Sequence, residues 1–133
     1  MENPEVKKER RKYARFKCAI KCNMSYYEGD PDLMDDITQM RPLRIRGSVL
    51  DISMGGLLAT SNVSVAVSMP IHLAFMVGKV KNERFGKIIR TGLLKDNPSE
   101  IAQRIAASFK GLETYYIAIE FDDVMSNLSE RDL

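Results

Sequence analysis

The chain has no tryptophan, a single histidine and only two cysteines. None of its apolar runs approaches the ~20 residues that a membrane-crossing helix requires. Each shortage excludes something. His72 stands in a strand-like stretch with no acid to work beside it, so neither a catalytic nor a metal site is expected there, because such sites need convergent groups. Cys18 and Cys22 lie four positions apart. On a strand they share a face with Cα atoms ~13 Å apart, too far for a disulfide between them. With no further ligands nearby, they read as buried reduced thiols in a cytoplasmic protein. The charged N-terminus has no apolar segment behind it, so no secretory signal is expected. Walker A, Gly-x-Gly-x-x-Gly and Gly-x-Ser-x-Gly patterns are all missing, and nothing in the sequence argues for an enzyme, a cofactor or a metal.

What remains is an ordinary globular composition. The 133 residues suit one domain, with 44% hydrophobic and 29% charged positions. Net charge is +2, so any basic surface must be local. It is concentrated at the start. Lys7, Lys8, Arg10, Arg11, Lys12 and Arg15 crowd into positions 7–15, relieved only by Glu9. Residues 1–15 have too few apolar side chains to join a core and are expected to form an arm that is mobile without a ligand. Residues 16–133 are expected to form the domain.

Strict alternation begins where the arm ends. Phe16, Cys18, Ile20, Cys22 and Met24 point one way, and Arg15, Lys17, Ala19, Lys21 and Asn23 the other. Residues 28–42 are acidic and turn-rich, a long loop with room for a helical turn near Leu33–Met40. A second strand is expected over 43–50, with Leu43, Ile45 and Val49 on one face and Arg44, Arg46 and Ser48 on the other. A third follows near 56–60, and a fourth after Pro70 with Ile71, Leu73, Phe75 and Val77 alternating. Residues 78–83 then suit a hairpin loop. A fifth strand, 84–95, carries Phe85, Ile89 and Leu93 on one side. Asn97-Pro98-Ser99-Glu100 looks like a helix start, with Ile101, Ile105 and Phe109 at helical spacing and Gly111 as the stop. A sixth strand, 114–122, places Tyr115, Ile117, Ile119 and Phe121 on one face. Val124, Met125 and Leu128 suit a short amphipathic C-terminal helix. Six short strands with turn signals between them imply an all-β, antiparallel barrel or sandwich.

The polar corner Asp51-Ile52-Ser53-Met54-Gly55-Gly56 interrupts two apolar runs. Such a cluster is also what a plain turn looks like. Here it is paired with Arg11 and Arg15, spaced Arg-x-x-x-Arg, where the arm meets the first strand. Together the two stretches resemble the PilZ domain, a bacterial receptor for cyclic di-GMP. That family is marked by Arg-x-x-x-Arg before the first strand and Asp/Asn-x-Ser-x-x-Gly at a later strand-to-strand turn. The resemblance covers nearly the whole chain, including the strand count and the ending Tyr116-Ile117-Ala118-Ile119-Glu120-Phe121.

The resemblance implies a small six-stranded antiparallel barrel with an added helix near 97–111. It also implies a cyclic di-GMP site made by Arg10, Arg11, Arg15, Asp51, Ser53, Gly55 and Gly56. The chemistry suits those residue types. Arginine offers a planar fork for phosphate oxygens and for the guanine O6/N7 edge. Asp51 can accept from guanine N–H groups, Ser53 can bond a phosphate or base, and the glycines let backbone approach closely. In the family, an arginine at the place of Arg10 is compatible with an intercalated pair of nucleotides. The arm would order over the ligand and present a surface to a protein partner in motility, polysaccharide or adhesion control. Two other functions stay open from the residues: a nucleic-acid-binding barrel with a basic arm, and a barrel of the same fold that works through protein contacts without nucleotide. Nucleic acid is disfavoured because no aromatic stacking platform is evident on the strands.

Overall fold

The computed structural model describes residues 13–27, 42–108, 114–126, 128 and 133. Six strands make up most of it: β1 (Phe16–Tyr27), β2 (Pro42–Ser53), β3 (Gly56–Ser61), β4 (Pro70–Val77), β5 (Val80–Leu93) and β6 (Tyr115–Phe121). They close a barrel in the order β1-β2-β3-β6-β5-β4, with every neighbouring pair antiparallel. The alternation read in β1 and β6 is the alternation of the barrel wall. Cys22, Met24, Ile71, Leu73, Phe75, Ile117, Ile119 and Phe121 all fill the interior. Among the described residues, closure leaves no open sheet edge for another chain to extend.

A second, smaller core lies outside the barrel. A 3-10 turn (Leu94–Asp96) leads to helix α1 (Glu100–Ser108). Together they bring Leu94 and Ala102 against Leu50, Leu58 and Ala118 on the outer faces of β2, β3 and β6. Leu50 reaches that outer cluster by alternation from the inward Val49, and β2 carries an extra residue against β3 at this point. Val49 pairs with Ala59, yet Asp51 already pairs with Leu58. Val49 and Ile52 both face the interior, so Leu50 and Asp51 are spent on the bulge between them. A bulge of this kind re-aims side chains beside it.

Several expectations need correction. The hairpin expected over 78–83 is much tighter. Val77 pairs with Val80, leaving Gly78 and Lys79 as the turn. Gly78 has φ 61, the left-handed first position that a two-residue II′ turn demands. On β5 the buried positions are Gly86 and Ile88, while Phe85 and Ile89 are each 52% exposed. Leu43 is likewise exposed, since β2 turns Ile45 and Val49 inward instead. The helix expected over 97–111 begins later, at Glu100, because the cap is Ser99 and not Asn97. The Ala102 N–H donates to Ser99 Oγ at 3.2 Å, and Asn97 Oδ1 accepts from the Ser99 N–H at 3.0 Å. No helix follows β6 among the described residues. Met125 is held instead as a buried plug, its N–H donating to the Met54 carbonyl at 2.8 Å. The helical turn near Leu33–Met40, Phe109 and Gly111 lie outside the described residues.

Candidate ligand-binding site

The site begins from register. Phe16 pairs with Ile52 and Lys17 with Asp51. The chain therefore enters the barrel antiparallel to the end of β2, with Arg15 the residue just before this pairing and Ser53 the residue just after Ile52. Arg15 is exposed, as is Lys17, whereas Asp51 and Ser53 are half-buried. Of the two cationic residues, Lys17 is paired directly with Asp51, and Arg15 comes just before that pairing begins. Arg10 and Arg11 lie outside the described residues.

The corner is stitched by its own serine. The Gly55 N–H donates to Ser53 Oγ, and that hydroxyl donates to the Gly56 carbonyl, each at 3.3 Å. Both bonds are long, so the hydroxyl closes the turn weakly, and it keeps a lone pair for another donor. The turn is held more firmly from the far side of the barrel mouth. The Phe121 N–H donates to the Gly55 carbonyl at 2.8 Å, and the Met125 bond to Met54 lies next to it. The peptide carbonyls of the corner are therefore committed to the chain that leaves β6.

The two glycines have separate jobs. Gly56 pairs with Glu120 across β3 and β6. A Cβ added to it would run into the Ile119 carbonyl, so the absent side chain makes room for β6 itself. A Cβ on Gly55 would come 2.9 Å from Cδ2 and 3.1 Å from Cε2 of Tyr13. The last stretch of the arm is laid on the corner through that ring.

Asp51 also makes itself felt inside the wall. The Cys18 thiol is pushed up to about 11, first by burial and then by the Asp51 charge. Burial pushes Cys22 up to about 12. Both cysteines are free. Among the described residues no group of three or more His, Cys, Asp or Glu side chains could hold a metal. No helix among them is long and apolar enough to cross a membrane.

Tyr13 and Lys17 were not singled out from the sequence. Lys17 had a signal, since it falls on the polar side of β1, but its position opposite Asp51 depends on a pairing that alternation does not reveal. Tyr13 had only its oddity as an aromatic in a charged arm.

By sequence, the chain matches no family model and no curated protein. By structure, it is similar to the PilZ domain of YcgR from Escherichia coli, solved with c-di-GMP. The TM-score is 0.55 at 13% identity, covering 88% of this chain and 81% of that one. It is also similar to the Bacillus subtilis inhibitor of motility MotI/DgrA, with TM-score 0.54 at 14% identity. That match covers 87% of this chain but 44% of the other, so this chain spans under half the length of that protein. These likenesses establish a PilZ-like fold for the chain.

Proposed function

We propose that this chain is a non-catalytic cytoplasmic receptor for cyclic di-GMP. The observation that carries the proposal is the register of β1 against β2 in a PilZ-like barrel: Phe16, which follows Arg15, pairs with Ile52, which stands between Asp51 and Ser53. A ligand with two phosphates and two guanines asks for such a mixture. Arg15, joined by Arg10 and Arg11 from the arm, would grip phosphate oxygens and the guanine O6/N7 edge. Asp51 would accept from guanine N–H groups, which adenine cannot satisfy in the same way. Ser53 would spend its spare lone pair on the ligand. Gly55 and Gly56 contribute by keeping the corner flat and close to its neighbours. Binding would order the arm and alter a surface read by a protein partner, in the sense of an order–disorder switch.

Calorimetric titration with cyclic di-GMP, run beside Arg11→Ala, tests the proposal. Saturable binding lost in the variant supports it and counts the nucleotides per chain. A second reading is a PilZ-fold domain acting through protein contacts alone. The self-closed corner, whose serine and carbonyls already have partners, favours it. Absence of heat at several temperatures, together with an unmoved melting temperature, would select that reading. Binding of nucleic acid that weakens steeply with salt and ignores Asp51 would select a polyelectrolyte surface instead.

A further inference from the structure

We propose that Tyr13 is a positioning residue that seats the arm on the Asp51–Gly56 corner before any nucleotide arrives. The inference deepens the receptor reading and rests on it for its functional meaning, but the seat itself is a property of the free protein. The ring edge of Tyr13 occupies the space where a side chain of Gly55 would stand, at 2.9 and 3.1 Å from the position of its Cβ. Tyr13 is half-buried, whereas Ala14 and Arg15 after it are exposed. The contact is therefore a local anchor on an otherwise solvated stretch.

The floor under the ring does not give way easily. The Gly55 carbonyl accepts from the Phe121 N–H at 2.8 Å, and the Met54 carbonyl accepts from the Met125 N–H at 2.8 Å. Met125 is itself 3% exposed, locked into the main core. The seat is thus tied to the barrel from behind. It also explains a glycine that the turn alone does not require. Gly55 is not among the positive-φ residues, so its missing side chain serves space and not backbone conformation.

The consequence falls on Arg15. It lies between two fixed points, the Tyr13 ring on Gly55 and the Phe16–Ile52 pair that opens β1. Its backbone is fixed in advance beside the end of β2, so a ligand need not order Arg15 itself. Pre-organisation of this kind raises affinity by removing an ordering cost, without a new contact to the ligand.

The first test needs no nucleotide. In the free protein the Tyr13 ring current should displace the Gly55 amide and α-proton resonances, and Tyr13→Ala should return them toward ordinary glycine values. Resonances unmoved by that substitution overturn the seat, whatever the nucleotide does. The second test is titration with cyclic di-GMP. Tyr13→Ala and Gly55→Ala should each weaken binding ~10-fold, and the double variant should be no weaker than either single one, because both remove the same contact. Tyr13→Phe should bind more tightly than Tyr13→Ala, since its ring still occupies the space. The melting temperature of free Tyr13→Ala should stay near the native value. Additive losses, a Tyr13→Phe as weak as Tyr13→Ala, or a melting temperature falling in step with affinity would overturn the positioning role. A native chain that shows the displaced resonances yet takes up no cyclic di-GMP would sink the receptor reading and leave the seat standing as a docking contact of the arm.

Discussion

Gly56 pairs with Glu120 and lies so close to β6 that the carbonyl of Ile119, one residue before Glu120, fills the volume a side chain on Gly56 would need. The opposing group is backbone in a paired strand and cannot swing aside as a flexible side chain would. Gly56→Ala should therefore strain the barrel wall. Overpacking of this kind costs about 1–3 kcal/mol, which for a domain of this size lowers the melting temperature by ~5–10 °C. Thermal melts of the free protein check it. If Gly56→Ala weakens nucleotide binding in proportion to its lost stability, the glycine serves the wall. Lost binding with an unchanged melt would instead put the ligand directly against Gly56.

Asp51 and Arg15 should respond differently to the base offered. Arg15→Ala removes a cation suited to phosphate and to guanine, so it should weaken cyclic di-GMP and its adenine counterpart together, if the latter binds at all. Asp51→Ala removes the acceptor for guanine N–H groups and leaves the cations in place. It should weaken cyclic di-GMP by ~10-fold or more, on the scale of about 1.5–3 kcal/mol for a hydrogen bond to a charged group, while narrowing the preference for guanine. Competition titrations with both cyclic dinucleotides measure this. Equal binding by native, Arg15→Ala and Asp51→Ala chains would remove the site from this corner.

How far the sequence reveals this arrangement depends on whether a feature is local. The alternation of β1 and β6 is local, and those strands stand where their patterns point. The Asp-x-Ser corner is legible for the same reason, since Ser53 bonds two and three residues ahead within its own turn. β5 misleads because apolar identity and inward direction part company there. Phe85 faces outward to pack against His72, with ring centroids 4.8 Å apart, while Gly86 takes the interior position. The helix start is displaced because Asn97 and Ser99 both make good caps, and the tertiary position of Leu94 decides between them. The bulge at Leu50 and Asp51 exists only in pairing. The Tyr13–Gly55 contact depends on where the arm comes to rest, which no periodicity in a charged segment records.

The outer cluster should behave as a core in its own right. Leu94, the first residue of the turn after β5, is fully buried against Leu50, Leu58, Ala102 and Ala118. Leu94→Ala should cost about 2–5 kcal/mol, the range for a buried leucine that leaves a cavity. Ser99→Ala should cost ~1 kcal/mol by removing the helix cap. Denaturant melts measure both. Neither side chain belongs to the Asp51–Gly56 corner, so titrations on the folded variants should give native affinity for cyclic di-GMP. A Leu94→Ala chain as stable as the native one would mean that α1 adds nothing to the fold.

The thiols give the barrel a stability limit on the alkaline side. Burial, with Asp51 adding its charge at Cys18, pushes the two cysteines from the ordinary value of 9.0 up to about 11 and about 12. The folded protein thus keeps thiol protons that the unfolded chain releases. Their contribution to stability is full below pH 9 and is lost as pH rises through 11 to 12, because ionisation favours the unfolded state there. Melting temperatures of the native chain should fall over that window more steeply than those of Cys18→Ala/Cys22→Ala, with the native chain starting from the higher stability at pH 7. The comparison within each pH isolates the two thiols. At pH 8 the native protein should also react slowly with a thiol reagent and release both thiols in urea, since the thiolate is the reacting form. Parallel pH curves for the two proteins, or two thiols that react at once without denaturant, would show that the fold does not hold these protons.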